Sequence, residues 1–152
     1  MPTSFSTRSV SSPLMVISML AALLPGVSVA AEPVDNPALF DTRWGLQAID
    51  DTPPVSGGHG AVAFLVLQAG SQQLSGSTAC NRIQGRYTQR GTQLTLTALA
   101  STRMACAEPL MQQEQRLIEL LKATDGYRIE GQVMSLLQGE TVRLRFRAWP
   151  VK

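Results

Sequence analysis

Histidine and cysteine are nearly absent from this sequence: one histidine and two cysteines stand in 152 residues. That scarcity removes most metal and thiol chemistry. A zinc site needs a close array of Cys, His or carboxylate ligands, and Cys80, Cys106 and His59 match no such spacing. Aromatic residues make up only 5%. The motifs G-x-S-x-G and H-E-x-x-H and a phosphate-binding loop are all missing. Charge of one sign is missing too. Thirteen Lys and Arg stand against eleven Asp and Glu, so bulk charge argues for neither nucleic acid nor an acidic polymer as partner. The longest apolar stretch, Leu14 to Leu24, falls short of the roughly 20 residues a membrane-spanning helix needs.

That short run has another reading. Arg8 precedes it, and Ser28 and Ala30 follow at the small-residue positions of a cleavage site. Residues 1–30 are therefore expected to be a signal peptide cut after Ala30. The competing reading is an uncleaved N-terminal anchor. No cysteine stands near the cleavage point, so lipid attachment is not expected. Export bears on the cysteines, because two cysteines in an oxidising compartment read first as a disulfide, Cys80–Cys106. Buried free thiols remain a second possibility. A third is a Cys80 nucleophile served by His59 and Asn81, which would leave Cys106 an idle thiol.

The rest of the chain suits one domain. Residues 31–41 hold two prolines and no periodicity, and read as a short lead. Strands are expected at Arg43–Ile49, Ala61–Leu67, Gln72–Thr78, Arg82–Arg90 and Gln93–Thr97, then at Tyr127–Glu130, Val133–Leu137 and Thr141–Phe146. They rest on period-2 alternation, or on an apolar run bounded by glycine. The unbroken run "AVAFLVL" is read as a strand buried on both faces. Asp50 to Gly60 is loop, and Asp50-Asp51 beside Pro53-Pro54 is turn chemistry rather than a carboxylate pair. One helix is expected from Pro109 to Lys122, with Leu110, Met111, Leu117, Ile118 and Leu121 as its apolar face and Glu114 interrupting it. The fold class is thus mainly β: an eight-stranded antiparallel meander curled into an open barrel, with one helix.

Two arginine stripes recur at period 2. They are Arg82, Arg86 and Arg90, and Arg143, Arg145 and Arg147. Both read as the wet faces of their strands, the second also shielding a terminal strand from edge pairing. The alternative is contact with anionic lipid or an acidic partner.

The motifs together resemble the META domain of HslJ-type heat-shock proteins. They are Trp44-Gly45-Leu46, then Gly76 through Cys80-Asn81 to Gly85, then Thr102-Arg103-Met104-Ala105-Cys106 before the helix, then Leu144-Arg145-Phe146. The resemblance runs from about Asp41 to Ala148, so the domain is bounded at 42–149. Ile83 stands where the family pattern has an aromatic, and the lipid-attachment cysteine of many relatives is absent. The resemblance implies a β-rich barrel with no enzymatic activity, no cofactor and no metal, associated with envelope or heat stress. Trp44, Gly76, Asn81, Gly85, Thr102, Arg103 and Met104 are then structural motif residues. The expected protein is a periplasmic or secreted monomer without a stable membrane anchor. Its partner is an unknown protein or a hydrophobic ligand. The alternative is a carrier holding a lipid or other apolar ligand in the barrel.

Overall fold

The computed structural model describes residues 37–149. The expected signal peptide and its cleavage point lie outside the described residues. Eight strands and one helix follow in order. They are β1 (Trp44–Ile49), β2 (Phe64–Gln68), β3 (Gln73–Ser77), β4 (Arg82–Arg90), β5 (Gln93–Ser101), α1 (Glu108–Lys122), β6 (Gly126–Glu130), β7 (Val133–Gln138) and β8 (Thr141–Ala148). Each strand pairs antiparallel with the next, and β8 returns to pair with β1, so the ring closes. The expected strand count and order hold; closure is the difference. With β8 paired on both sides, the arginines of that strand guard no free edge.

The ring is uneven. β4 and β5 pair over most of their length, but β5 meets β6 only at Gln93 and Gly126, and β1 meets β2 at two residue pairs. The helix α1 joins β5 to β6 and packs beside β5. Register shifts between Leu46 and Ala48, Gln84 and Arg86, and Leu136 and Leu137 bend the ladder, as an extra residue in one strand does.

Alternation sorts the side chains. Leu65, Leu67, Leu74, Ile83, Leu94, Leu96, Leu136, Leu144 and Phe146 turn inward and are buried with Trp44 and Leu46. Each buried aliphatic side chain contributes roughly 1.5–3 kcal/mol. From α1, Leu110, Leu117, Leu120 and Leu121 join the same core. Met111, expected on that face, is 38% exposed. The run "AVAFLVL" also departs from expectation. Only Ala63, Leu65 and Leu67 are buried, while Val62, Phe64 and Val66 are half-buried on the outside. A barrel has one interior, so the alternate residues must face out; Arg43 lies over the Phe64 ring, 3.7 Å from its centre.

The end of the expected lead belongs to the fold. Leu39 is buried and its carbonyl accepts the Trp44 indole N–H at 3.0 Å. Phe40 stacks on Tyr87, and the Tyr87 hydroxyl donates to the Gln68 carbonyl. Burial, and secondarily Asp41, push the Tyr87 hydroxyl above its ordinary pKa.

Gly76 shows how tightly β3 lies on β2. A Cβ there would sit 2.1 Å from the Phe64 carbonyl oxygen, whereas a Cβ on Gly58 meets nothing within 4 Å. Gly76→Ala is expected to lower unfolding free energy by about 1–3 kcal/mol in urea melts, and Gly58→Ala to change it by less than about 0.5 kcal/mol.

Candidate functional site

The chemically distinctive residues gather where β3 turns into β4 and β5 runs toward α1. Thr78 to Asn81 form the first turn, with the Thr78 N–H donating to the Asn81 carbonyl at 2.8 Å. Ala79 within it has φ 76°, a left-handed conformation that costs a residue with a Cβ. Antiparallel pairing of β4 with β5 brings this turn beside Ser101 and Thr102, since Ile83 is opposite Ser101.

Asn81 is the hub and is only 2% exposed. Its Oδ1 accepts from the Thr102 hydroxyl and from the Met104 backbone N–H, each at 2.8 Å. Its Nδ2 donates to Glu114 of α1 at 3.0 Å and to the Met104 carbonyl at 3.3 Å. The Asn81 N–H in turn donates to the Thr78 hydroxyl. One amide therefore holds the β3–β4 turn, the connector after β5, and the helix. An amide side chain suits this because it carries acceptor and donors on one planar group.

Glu114 is 8% exposed. It accepts from Asn81, from the Thr78 hydroxyl, and from the Ser101 hydroxyl at 3.4 Å. Among the described residues no basic side chain forms an ion pair with it. Its neighbour Gln113, 8% exposed, grips the Val55 backbone from both ends of its amide, Oε1 accepting the N–H and Nε2 donating to the carbonyl. On the exposed side Arg116 reaches Asp50 at 2.7 Å and Glu119 at 2.9 Å, and these hydrogen bonds, Asp50 foremost, raise its pKa. The helix is thus fastened on two sides by polar residues of its own buried and flanking faces. Sequence reasoning saw Glu114 interrupt the apolar stripe but gave it no role. A carboxyl at a core position beside Gln113 was the available signal, because buried polar groups need partners.

Cys80 and Cys106 are joined, sulfur to sulfur at 2.02 Å with Cα atoms 6.1 Å apart. The bond links the same turn to the start of α1, parallel to the Asn81 clamp. The Asn81 Nδ2 also lies 3.3 Å from the Cys80 sulfur. Trp44 and Asn81 are both buried; Thr102 and the Met104 backbone are partners of Asn81. At Gly85 a Cβ would approach Leu99 Cδ2 to 2.6 Å. The Arg103 and Met104 side chains point away from this cluster: both are exposed, Met104 by 58%. His59 sits in an exposed 3₁₀ turn, Gly58–Gly60, with φ 57°. Asp50 and Asp51 also have positive φ, as turn residues do, and pair with Arg143 and Arg145 respectively. Among the described residues no group of three or more His, Cys, Asp or Glu is placed to hold a metal ion.

Geometry of this kind defines a class: a small eight-strand barrel with a single helix inserted between the fifth and sixth strands and clamped at its entry. The model of the META domain matches residues 37–149, and the chain belongs to that family. An NMR structure of a protein from Burkholderia xenovorans is similar, at 30% identity and a TM-score of 0.61, over 73% of this chain and 83% of that one. A second NMR structure, at 24% identity and a TM-score of 0.57, covers 70% of this chain and 88% of its own and bears on the fold alone. Comparison with curated proteins gives no match.

Removing either half of the crosslink removes the same constraint. Cys80→Ser and Cys106→Ser are each expected to cost roughly 3–4 kcal/mol by the chain-entropy estimate, and the double variant little more than either. Chemical denaturation of the three variants under oxidising conditions checks this.

Proposed function

We propose that this chain is an exported, non-catalytic META-domain protein that supports tolerance of envelope or heat stress. The observation that carries the non-catalytic part is how its reactive groups are engaged. Cys80 and Cys106 are spent on each other, and Glu114 is filled by three donors at a structural joint. A thiol nucleophile needs a free thiolate and a base. Neither is offered by a bonded sulfur and an exposed His59. Export is supported by the leader pattern of residues 1–30 and by the joined cysteines, which belong to oxidising compartments. The stress role rests on the family resemblance.

The carrier reading is the weaker one. Trp44, Leu46, Leu65, Met134, Leu136 and Phe146 are all at most 2% exposed and occupy the barrel interior together with the helix leucines. Close-packed interiors of this kind leave no room for an acyl chain without rearrangement. Work for this fold then falls to its outer surface.

Deleting the coding sequence in the source organism is expected to lower survival after a heat or envelope-damaging shock. Wild-type chain with its leader should restore survival, and chain without residues 1–30 should not. Equal survival of deletion and parent under both shocks contradicts the stress role, and rescue by the leaderless chain contradicts export.

A further inference from the structure

From Thr52 to Ala107 the sequence contains no Asp or Glu at all. That span covers β2 to β5, half of the ring. Apart from His59, its basic residues are all arginines: Arg82, Arg86, Arg90 and Arg103. The first three alternate along the outer face of β4, and all four are exposed. The two stripes that look alike in sequence are therefore different objects. In β8, Arg143 lies 2.9 Å from Asp50 and Arg145 pairs with Asp51. In β4, none of the three guanidinium groups has a hydrogen bond, ion pair or ring contact among the described residues.

The surroundings of the β4 stripe are polar and uncharged. Ser77 stands opposite Arg82, Gln73 and Thr97 flank Arg86, and Gln93 stands opposite Arg90. Two open recesses run along the strand. One, of about 430 Å³, is lined by Ser75, Arg82, Gln84, Ser101 and Thr102. The next, of about 310 Å³, is lined by Gln73, Ser75, Gln84, Arg86 and Ala98. They share Ser75 and Gln84 and so form one elongated groove with an arginine in each part. The short side chains of Ala98 and Ala100, both exposed, keep it open.

We infer that this groove is a docking surface for an acidic polypeptide segment lying extended along β4. Charge complementarity identifies the occupant. Arginine forks bind carboxylates through paired, charge-assisted hydrogen bonds; Asp41, the described acid that reaches this half of the ring, accepts from the Ala69 N–H and forms no ion pair with the three arginines. Arg82 and Arg86 are about 13 Å apart by strand rise, the reach of carboxylates four residues apart in an extended chain. Ser75, Gln84, Gln73 and Thr97, beside the arginines, supply neutral hydrogen bonds to a peptide backbone. The strand ladder is closed, so recognition runs through side chains rather than by adding a strand. A bilayer fits less well. Among the described residues the exposed large apolar side chains are Val55, Met104, Met111 and Trp149, none of them on β3, β4 or β5, so these strands present no large apolar group to insert between lipids. The inference does not depend on the stress role.

The test uses a synthetic peptide of serine with glutamate at every fourth position, titrated into the oxidised protein. The same peptide with glutamine in place of glutamate serves as control. Binding of the glutamate peptide is expected to weaken with rising salt. It should fall roughly tenfold or more in the triple variant Arg82→Gln, Arg86→Gln, Arg90→Gln, and stay unchanged in Arg147→Gln, an exposed arginine of the other stripe. The triple variant should melt with the wild type, since exposed charges contribute little to folding. No binding of the glutamate peptide, equal binding of the glutamine peptide, or wild-type affinity in the triple variant overturns the inference. So does sedimentation with phosphatidylglycerol vesicles in the absence of peptide binding.

Discussion

The buried amide of Asn81 is the joint on which the rest of the domain depends. It accepts from Thr102 and the Met104 N–H and donates to Glu114 and the Met104 carbonyl, while the Asn81 backbone N–H donates to the Thr78 hydroxyl within the turn. Without that amide, the connector from β5 keeps the Cys80–Cys106 bond and the Thr102–Arg82 backbone pairing but loses the hydrogen bonds that set its path at Met104 and hold Glu114 of the helix. The helix is the link between β5 and β6, which share only one residue pair. The buried hydrogen bonds are individually modest but costly to leave unmade, so a network satisfied at every member gives one arrangement rather than several. The Cys80–Cys106 bond runs alongside and shortens the reach of the unfolded chain, while Asn81 sets the geometry.

Closure of the ring has the second large effect. Once β8 pairs with β1, the sheet has one inside, and that inside is filled by Trp44, Phe146 and the strand and helix leucines. The outer face is where the charged side chains other than Glu114 lie. Among the described residues, the acids other than Asp41 lie on the β1–β2 loop and from α1 to the β7–β8 turn, where they meet Arg116, Arg143 and Arg145. The arginines of β4 have no such ion pair. Near-neutral net charge conceals this arrangement, because a sum over the chain says nothing about which side each charge occupies.

Local pattern was readable wherever one residue's neighbours decide its place. Alternation in "RIQGRYTQR" and "QLTLT", and glycine at the turns, marked β4, β5 and the later strands, because a half-buried strand must alternate. The cysteine pair was readable from its number and from the leader-like pattern of residues 1–30. What escaped were facts set by pairing at a distance. The run "AVAFLVL" looked buried on both sides because all its residues are apolar; only the ring shows that Phe64 and Val66 face outward under Arg43 and its neighbours. The two arginine stripes were indistinguishable, since Asp50 and Asp51 are more than ninety residues from Arg143 and Arg145 in sequence. The role of Glu114 was hidden for the same reason: its donors come from two other elements.

Hydrogen exchange on the Asn81→Ala variant tests the central claim most directly. If Asn81 fixes the helix on the barrel, amides of α1, Glu108–Lys122, should lose protection by roughly one to two orders of magnitude, while β7 and β8 keep wild-type protection. Unchanged protection in α1, or an equal loss in α1 and in β7 and β8, would contradict it.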